Sequence, residues 1–259
     1  MFTRCPKCGH APLPADQSLP AACPACGVIL AKLAAVPAGG AQPLAAARRA
    51  APVDDADEPD DTWIARLTHV PERVDALFWW LRVALLAGFG VWGLWLISMD
   101  FRDGSMAQSF LHRPLLVFHE AGHVIFMAFG RWMTVAGGTL GQLLMPAIMG
   151  GALLLKNRDP FGASIGLWLL GVSLLDVAPY VYDALVPQLM LLSGQTGAEG
   201  GAHDWIYLLS SMGLLNKAQV LGNLMHKLGA LVVLLALGWA AWLLKRQHAR
   251  IDEKVLFEQ

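Results

Sequence analysis

From Leu77 to Met99 the chain carries a single charged side chain, Arg82, together with four tryptophans, Trp79, Trp80, Trp92 and Trp95. A run of that length spans the hydrocarbon of a bilayer as a helix, because no water is there to satisfy free backbone N–H and C=O groups. Further apolar runs cover Pro114 to Phe129, Gly138 to Leu155, Phe161 to Tyr180 and Val220 to Leu244. Several are short or rich in glycine, which a membrane bundle tolerates where a segment is shielded by protein or lines a cavity. The basic cluster Lys245-Arg246-Gln247-His248-Ala249-Arg250 follows the last run and places the C-terminus in the cytosol by the positive-inside rule. The first residues lack the basic and apolar stretches of a secretory signal, so the N-terminus is expected on the same side. The number of spans must then be even, and Asp183 to Leu192 is the sixth candidate. The expected fold is mainly α, a polytopic transmembrane bundle of about six spans over residues 77 to 250. In that arrangement Lys156 and Arg158 fall on the outer side, against the rule.

The preceding residues describe a different kind of molecule. Cys5-Pro6-Lys7-Cys8-Gly9 and Cys23-Pro24-Ala25-Cys26-Gly27 repeat one pattern and hold all four cysteines of the chain. Paired cysteines at this spacing in a reducing compartment are metal ligands rather than disulfide partners. Four thiolates in two knuckles match the closed tetrahedral shell of structural zinc, and a unit of about thirty residues has too little core to fold without it. Residues 1 to 30 therefore read as a zinc ribbon bound through Cys5, Cys8, Cys23 and Cys26. Residues 31 to 61, rich in Ala and Pro and ending in the acidic run from Asp54 to Asp61, read as a flexible linker. From 62 to 76, Trp63, Ile64, Leu67 and Val70 recur at helical spacing and suggest an amphipathic segment at the membrane surface or, equally, the end of a soluble helix. A formal net charge of −1 gives no general attraction to nucleic acid, and Arg4 and Lys7 offer little basic surface on the ribbon. A cytosolic protein partner or a purely structural role is the better expectation there.

The chemistry concentrates in Phe118-His119-Glu120-Ala121-Gly122-His123-Val124. Spacing of four sets His119 and His123 on one helical face, where both imidazoles can ligate one zinc ion, and Glu120 beside them can act as general base. An ionisable group in the middle of a membrane costs roughly 3 kcal/mol on insertion scales, so this trio inside an apolar run calls for a partner such as a metal. Polar residues joining neighbouring helices, or haem ligands, are the plainer explanation. Hydrolytic zinc takes three protein ligands and keeps one position open.

The motif resembles that of the site-2 protease family of intramembrane zinc metalloproteases, in which H-E-x-x-H is completed by a downstream aspartate. Asp176-Val177-Ala178-Pro179 is similar to the family's Asn-x-x-Pro element, with aspartate for asparagine. His203-Asp204-Trp205 is similar to its Asp-Gly element, with tryptophan for glycine. Asp204 is the first choice for the third ligand and Asp183 the second, followed by His203 and Asp176. Asp204 as the N-cap of a following helix, and Asp176 as a helix-end residue, are the structural alternatives. Gly137-Gly138-Thr139-Leu140-Gly141-Gln142 is similar to the family's small-residue stretch packed beside the active site, although small residues also simply let membrane helices approach. The resemblance covers roughly Pro114 to Leu215 and implies a catalytic zinc ion, beside the structural one of the ribbon, which lies outside it, and a membrane-bound protein or peptide as substrate. The competing expectation is a non-catalytic membrane scaffold that recruits a partner through its ribbon, and it differs at Glu120.

Overall fold

The computed structural model describes residues 2–18, 21–31 and 62–251, and the expected linker at 31–61 lies almost wholly outside them. The chain divides into two units, Met1–Asp60 and Asp61–Gln259.

In the first unit both cysteine knuckles fold alike. Gly9 donates its N–H to the Cys5 carbonyl and Gly27 to that of Cys23, each at 2.8 Å. Both glycines have positive φ, +75° and +68°, which a side chain would strain. An isolated bridge between Ala22 and Ile29 closes the second knuckle, and Cys5, Cys23 and the wholly buried Leu30 form a small apolar core.

The second unit is helical. Thr62 caps α1 (Trp63–Leu67) through a bond from the Ala65 N–H, and Asp75 caps α2 (Ala76–Ser98) through one from Phe78. Two 3-10 turns, Phe101–Asp103 and Ser105–Gln108, lead to α3 (His112–Phe126). Next come α4 (Arg131–Leu155), α5 (Pro160–Asp183), α6 (Asp204–Ser211) and α7 (Ala218–His248). α5 is the axis of the bundle. Its Trp168, Val172 and Leu175 are wholly enclosed by residues of α2, α3 and α7, including Leu96, Leu115, Val233 and Ala236. α5 and α7 make the most extensive pair, and a Cβ on Gly229 would lie 2.9 Å from the Gly171 carbonyl oxygen. Such small-residue contacts let membrane helices approach closely.

Among the described residues four helices, rather than about six, are long and apolar enough to cross a membrane: α2, α4, α5 and α7 with the turn before it. α3 has 15 residues and is about 22 Å long, short of the roughly 30 Å of hydrocarbon. The segment Asp183 to Leu192 does not continue as a helix. Asp183 Oδ1 accepts the N–H groups of Gln188 (2.7 Å) and Leu189 (3.1 Å), and this carboxylate turns the chain around Pro187. The third expected run starts earlier, at Arg131, because its glycines sit inside a helix that packs through them.

Contacts bring the start of α2, the α4–α5 turn and the end of α7 to one end of the bundle. Arg82 reaches Asp159 (3.7 Å) and Gln247 (3.1 Å), Trp79 Nε1 donates to the Leu244 carbonyl, and Arg66 donates to that of Leu155. Opposite lie the end of α2, the end of α5 and α6.

Candidate metal centre

α3 and α4 form an antiparallel hairpin joined through Gly130, and glycines bring their backbones together. A Cβ on Gly141 would stand 2.5 Å from the Phe118 carbonyl oxygen, one on Gly137 2.6 Å from that of Gly122, and one on Gly122 would collide with the Gly137 carbonyl. A Cβ on Gly138 would stand 2.5 Å from His119 Nε2 and 2.7 Å from His123 Nε2. The Gly137-Gly138-x-x-Gly141 stretch is therefore the floor on which the two histidines lie.

Their outer ring nitrogens are committed. His123 Nδ1 is 2.8 Å from the Thr134 carbonyl oxygen, which can only accept, so Nδ1 carries the proton. His119 Nδ1 is 3.2 Å from Gln142 Oε1. The Gln142 amide is oriented by its other atom, since Nε2 donates to Asp176 Oδ2 at 2.7 Å, so His119 Nδ1 is also the donor. In its neutral form each imidazole then presents an Nε2 lone pair. Each lone pair faces another acceptor: Asp204 Oδ2 is 3.0 Å from His119 Nε2 and 3.3 Å from His123 Nε2. Three electron-pair donors converging on one point can hold a cation between them. At zinc–nitrogen and zinc–oxygen distances near 2.0–2.1 Å, the edges of a tetrahedron are about 3.3 Å, close to both separations. The donor set of two imidazoles and a carboxylate fits a metal of this kind, and Glu120 forms with His119 and His123 a group whose ligand atoms lie within 4.8 Å of one another.

Asp204 reaches the hairpin from a separate element. It is the first residue of α6, and its own N–H donates to the Tyr180 hydroxyl at 2.9 Å. It does not cap the helix. His203 is the N-cap, with Nδ1 accepting from the Ile206 N–H, which leaves Nε2–H to donate to Asp183 Oδ2 at 3.3 Å. That interaction consumes two of the three other sequence candidates: buried His203 and Asp183 secure the loop that delivers Asp204. Asp176 likewise stays outside the cluster, held between Gln142 and His112, whose Nδ1 is 2.9 Å from Asp176 Oδ1. It orients the amide that orients His119, a support known to fix the tautomer and angle of ligating histidines. Gln142, His112 and Tyr180 were not visible as site residues in the sequence. The available signal was Gln142 itself, a buried amide in an apolar helix four positions after Gly138 and so on the same face.

The cluster forms one wall of a cavity of about 820 Å³. Its other walls come from Gly104 and Gln108 before α3 and from Gln188 to Ser193 after α5. Asp176 lies seven positions before the end of α5, which sets the centre about 10 Å inside that end of the bundle.

The cysteines form a second, closed cluster. Cys5 Sγ lies 3.7 Å from Cys26 Sγ, and Cys8 Sγ lies 3.7 Å from Cys23 Sγ. Zinc–sulfur bonds of 2.3 Å give a tetrahedral edge of about 3.8 Å, so four thiolates here fit a structural metal. Burial raises the Cys5 thiol, but the N–H groups of Cys8 and Lys7 outweigh it and bring Cys5 down to about 6. Despite the His10 N–H, which lowers it, Cys8 beside Cys26 and its other neighbours is pushed up to about 12. Thiols this crowded resist carrying several negative charges, and a divalent cation removes that conflict.

No family model, curated protein or solved structure matches the chain.

Proposed function

We propose that this chain is a membrane-embedded zinc metalloprotease that cleaves membrane-associated protein segments, with His119, His123 and Asp204 as ligands of a catalytic zinc ion. Cys5, Cys8, Cys23 and Cys26 hold a structural one. The convergence of both Nε2 lone pairs and Asp204 Oδ2, with both Nδ1 protons already committed elsewhere, carries this reading. Zinc held there supplies Lewis acidity, polarising a scissile carbonyl and letting water ionise near pH 7. Glu120, exposed to the cavity, takes the proton of the attacking water and delivers it to the leaving amine. Gln142 and Thr134 keep the imidazoles in the ligating tautomer. The helices of the bundle exclude bulk water from behind the site. A helical substrate hides its carbonyls in hydrogen bonds, so the segment cut is one that unwinds or is already irregular.

The test uses detergent-purified chain, zinc counted per chain, and an unwound single-span membrane protein as substrate. We expect two zinc ions, and Glu120→Gln should keep both while cleavage falls by about 10² to 10⁴, the usual contribution of general acid–base catalysis. Cleavage unchanged by Glu120→Gln, or zinc found only in the ribbon, would sink the protease reading in favour of the scaffold.

A further inference from the structure

The bundle has two chemically different ends. The start of α2, the α4–α5 turn and the end of α7 meet at one of them, through the Arg82 contacts to Asp159 and Gln247 and the Arg66 contact to Leu155. Lys156 and Arg158 in the turn and Lys245, Arg246 and Arg250 at the end of α7 therefore share one face with Arg66, Arg73 and Arg82. The opposite region has fewer basic residues, Arg102, Arg113, Arg131, Lys217 and Lys227, and two of its acidic residues, Asp100 and Asp103, flank Arg102. A surplus of Lys and Arg in short loops next to membrane spans marks the cytosolic side. The cysteine cluster points independently to the same side. It precedes α2 in the chain with no apolar run between them, and four reduced thiolates at metal-ligand spacing belong to a reducing compartment. With four spans, Lys156 and Arg158 no longer stand on the outer side.

The cavity belongs to the other end. Asp103, Gly104 and Gln108 follow α2, Gln188 to Ser193 follow α5, and Asp204 opens α6. Exposed residues sit at its margin, among them Gln108, Met190 and Ser193. None of its lining comes from the α4–α5 turn or the tail of α7.

We infer that the metal centre opens to the extracytoplasmic side, and that its substrates are membrane proteins whose extracytoplasmic juxtamembrane segment is extended or easily unwound. This rests on the proteolytic reading above, but the direction of the mouth can be measured without any catalysis. In full-length chain, one cysteine is introduced either at Ala198, exposed in the loop after α5, or at Asn157, exposed in the α4–α5 turn. Intact cells are treated with a membrane-impermeant maleimide of high mass, with unaltered chain as control for the native cysteines. The expected result is a gel shift of Ala198→Cys in intact cells and of Asn157→Cys only after permeabilisation. The reverse pattern, or a shift of both in intact cells, would overturn the orientation while leaving the metal chemistry untouched.

Two single-span reporters then test the substrate class, one with a Gly-Pro pair at the extracytoplasmic end of its span and one with the pair at the cytosolic end. Loss of only the first reporter, abolished by Glu120→Gln, is expected. Loss of only the second would overturn the substrate assignment. Cleavage of neither, with the labelling pattern as expected, would overturn the proteolytic reading and its substrate class while the orientation stood.

Discussion

Replacing Gly138 by alanine adds one methyl group at the most crowded point of the site. The new carbon would stand 2.5 Å from His119 Nε2 and 2.7 Å from both Nε2 and Cε1 of His123. Ordinary contact is about 3.4 Å, so the α3 and α4 backbones must part, or the rings must turn, by about 0.7 to 0.9 Å. Metal–ligand distances tolerate only about 0.2 Å. The rings are also held from behind by Gln142 and Thr134, and turning them breaks those bonds. Overpacking of this size costs roughly 1–3 kcal/mol, which at 1.4 kcal/mol per decade weakens zinc binding by about 5- to 150-fold. The assay is zinc retained per chain against rising concentrations of a soluble chelator, with the ribbon zinc of the same chain as internal standard. Gly90→Ala is the control, since nothing lies within 4 Å of a Cβ there. If Gly138→Ala released both zinc ions at the same chelator concentrations as the parent, Nε2 of these histidines would not be where the metal binds.

Asp204→Ala should remove the membrane-domain zinc and leave the ribbon zinc, giving one ion per chain, whereas His203→Ala should lower affinity through the loop without abolishing binding. Asp176→Leu and Gln142→Leu act at one remove from the metal. Each should weaken its binding by about 10- to 100-fold, and Gln142→Glu, which keeps an acceptor for His119 Nδ1, should restore more affinity than leucine when measured by the same chelator titration. Cys8→Ser should release the ribbon zinc with no change in the chelator profile of the second site. Trp168→Ala, at a position with no exposure, should destabilise the bundle by about 3–5 kcal/mol in a denaturant titration followed by tryptophan fluorescence.

The bundle was readable wherever a long apolar run coincided with a helix. α2 begins and ends within a residue of its run, because composition alone decides what the bilayer accepts. The α5 run was readable but its extent was not, since it continues past Tyr180 to Asp183, whose carboxylate then turns the chain. H-E-x-x-H placed His119, Glu120 and His123 in one cluster because spacing on a single helix is a local property. Of the four candidates for a third ligand, Asp204, the first choice, is the one set against both histidines. Nothing local separates Asp204 from Asp183: the choice is made by His203, which binds Asp183 and leaves the next carboxylate facing the histidines. Gln142 stayed hidden for the same reason. Its partner depends on the register of α3 against α4, and that register is set by three glycines whose packing is visible only once the helices meet.

The two imidazoles come from one hairpin of adjacent helices, whereas Asp204 lies 85 positions beyond His119. A ribosome therefore delivers two thirds of the donor set long before the last third. A pair of histidines alone is a poor trap for a metal at cellular concentrations, and the set is finished only after α5 has been inserted and the loop behind it has turned back. On the reading proposed above, the metal site is therefore incomplete for most of the synthesis of its own chain, and its completion coincides with the folding of the loop that carries Asp204.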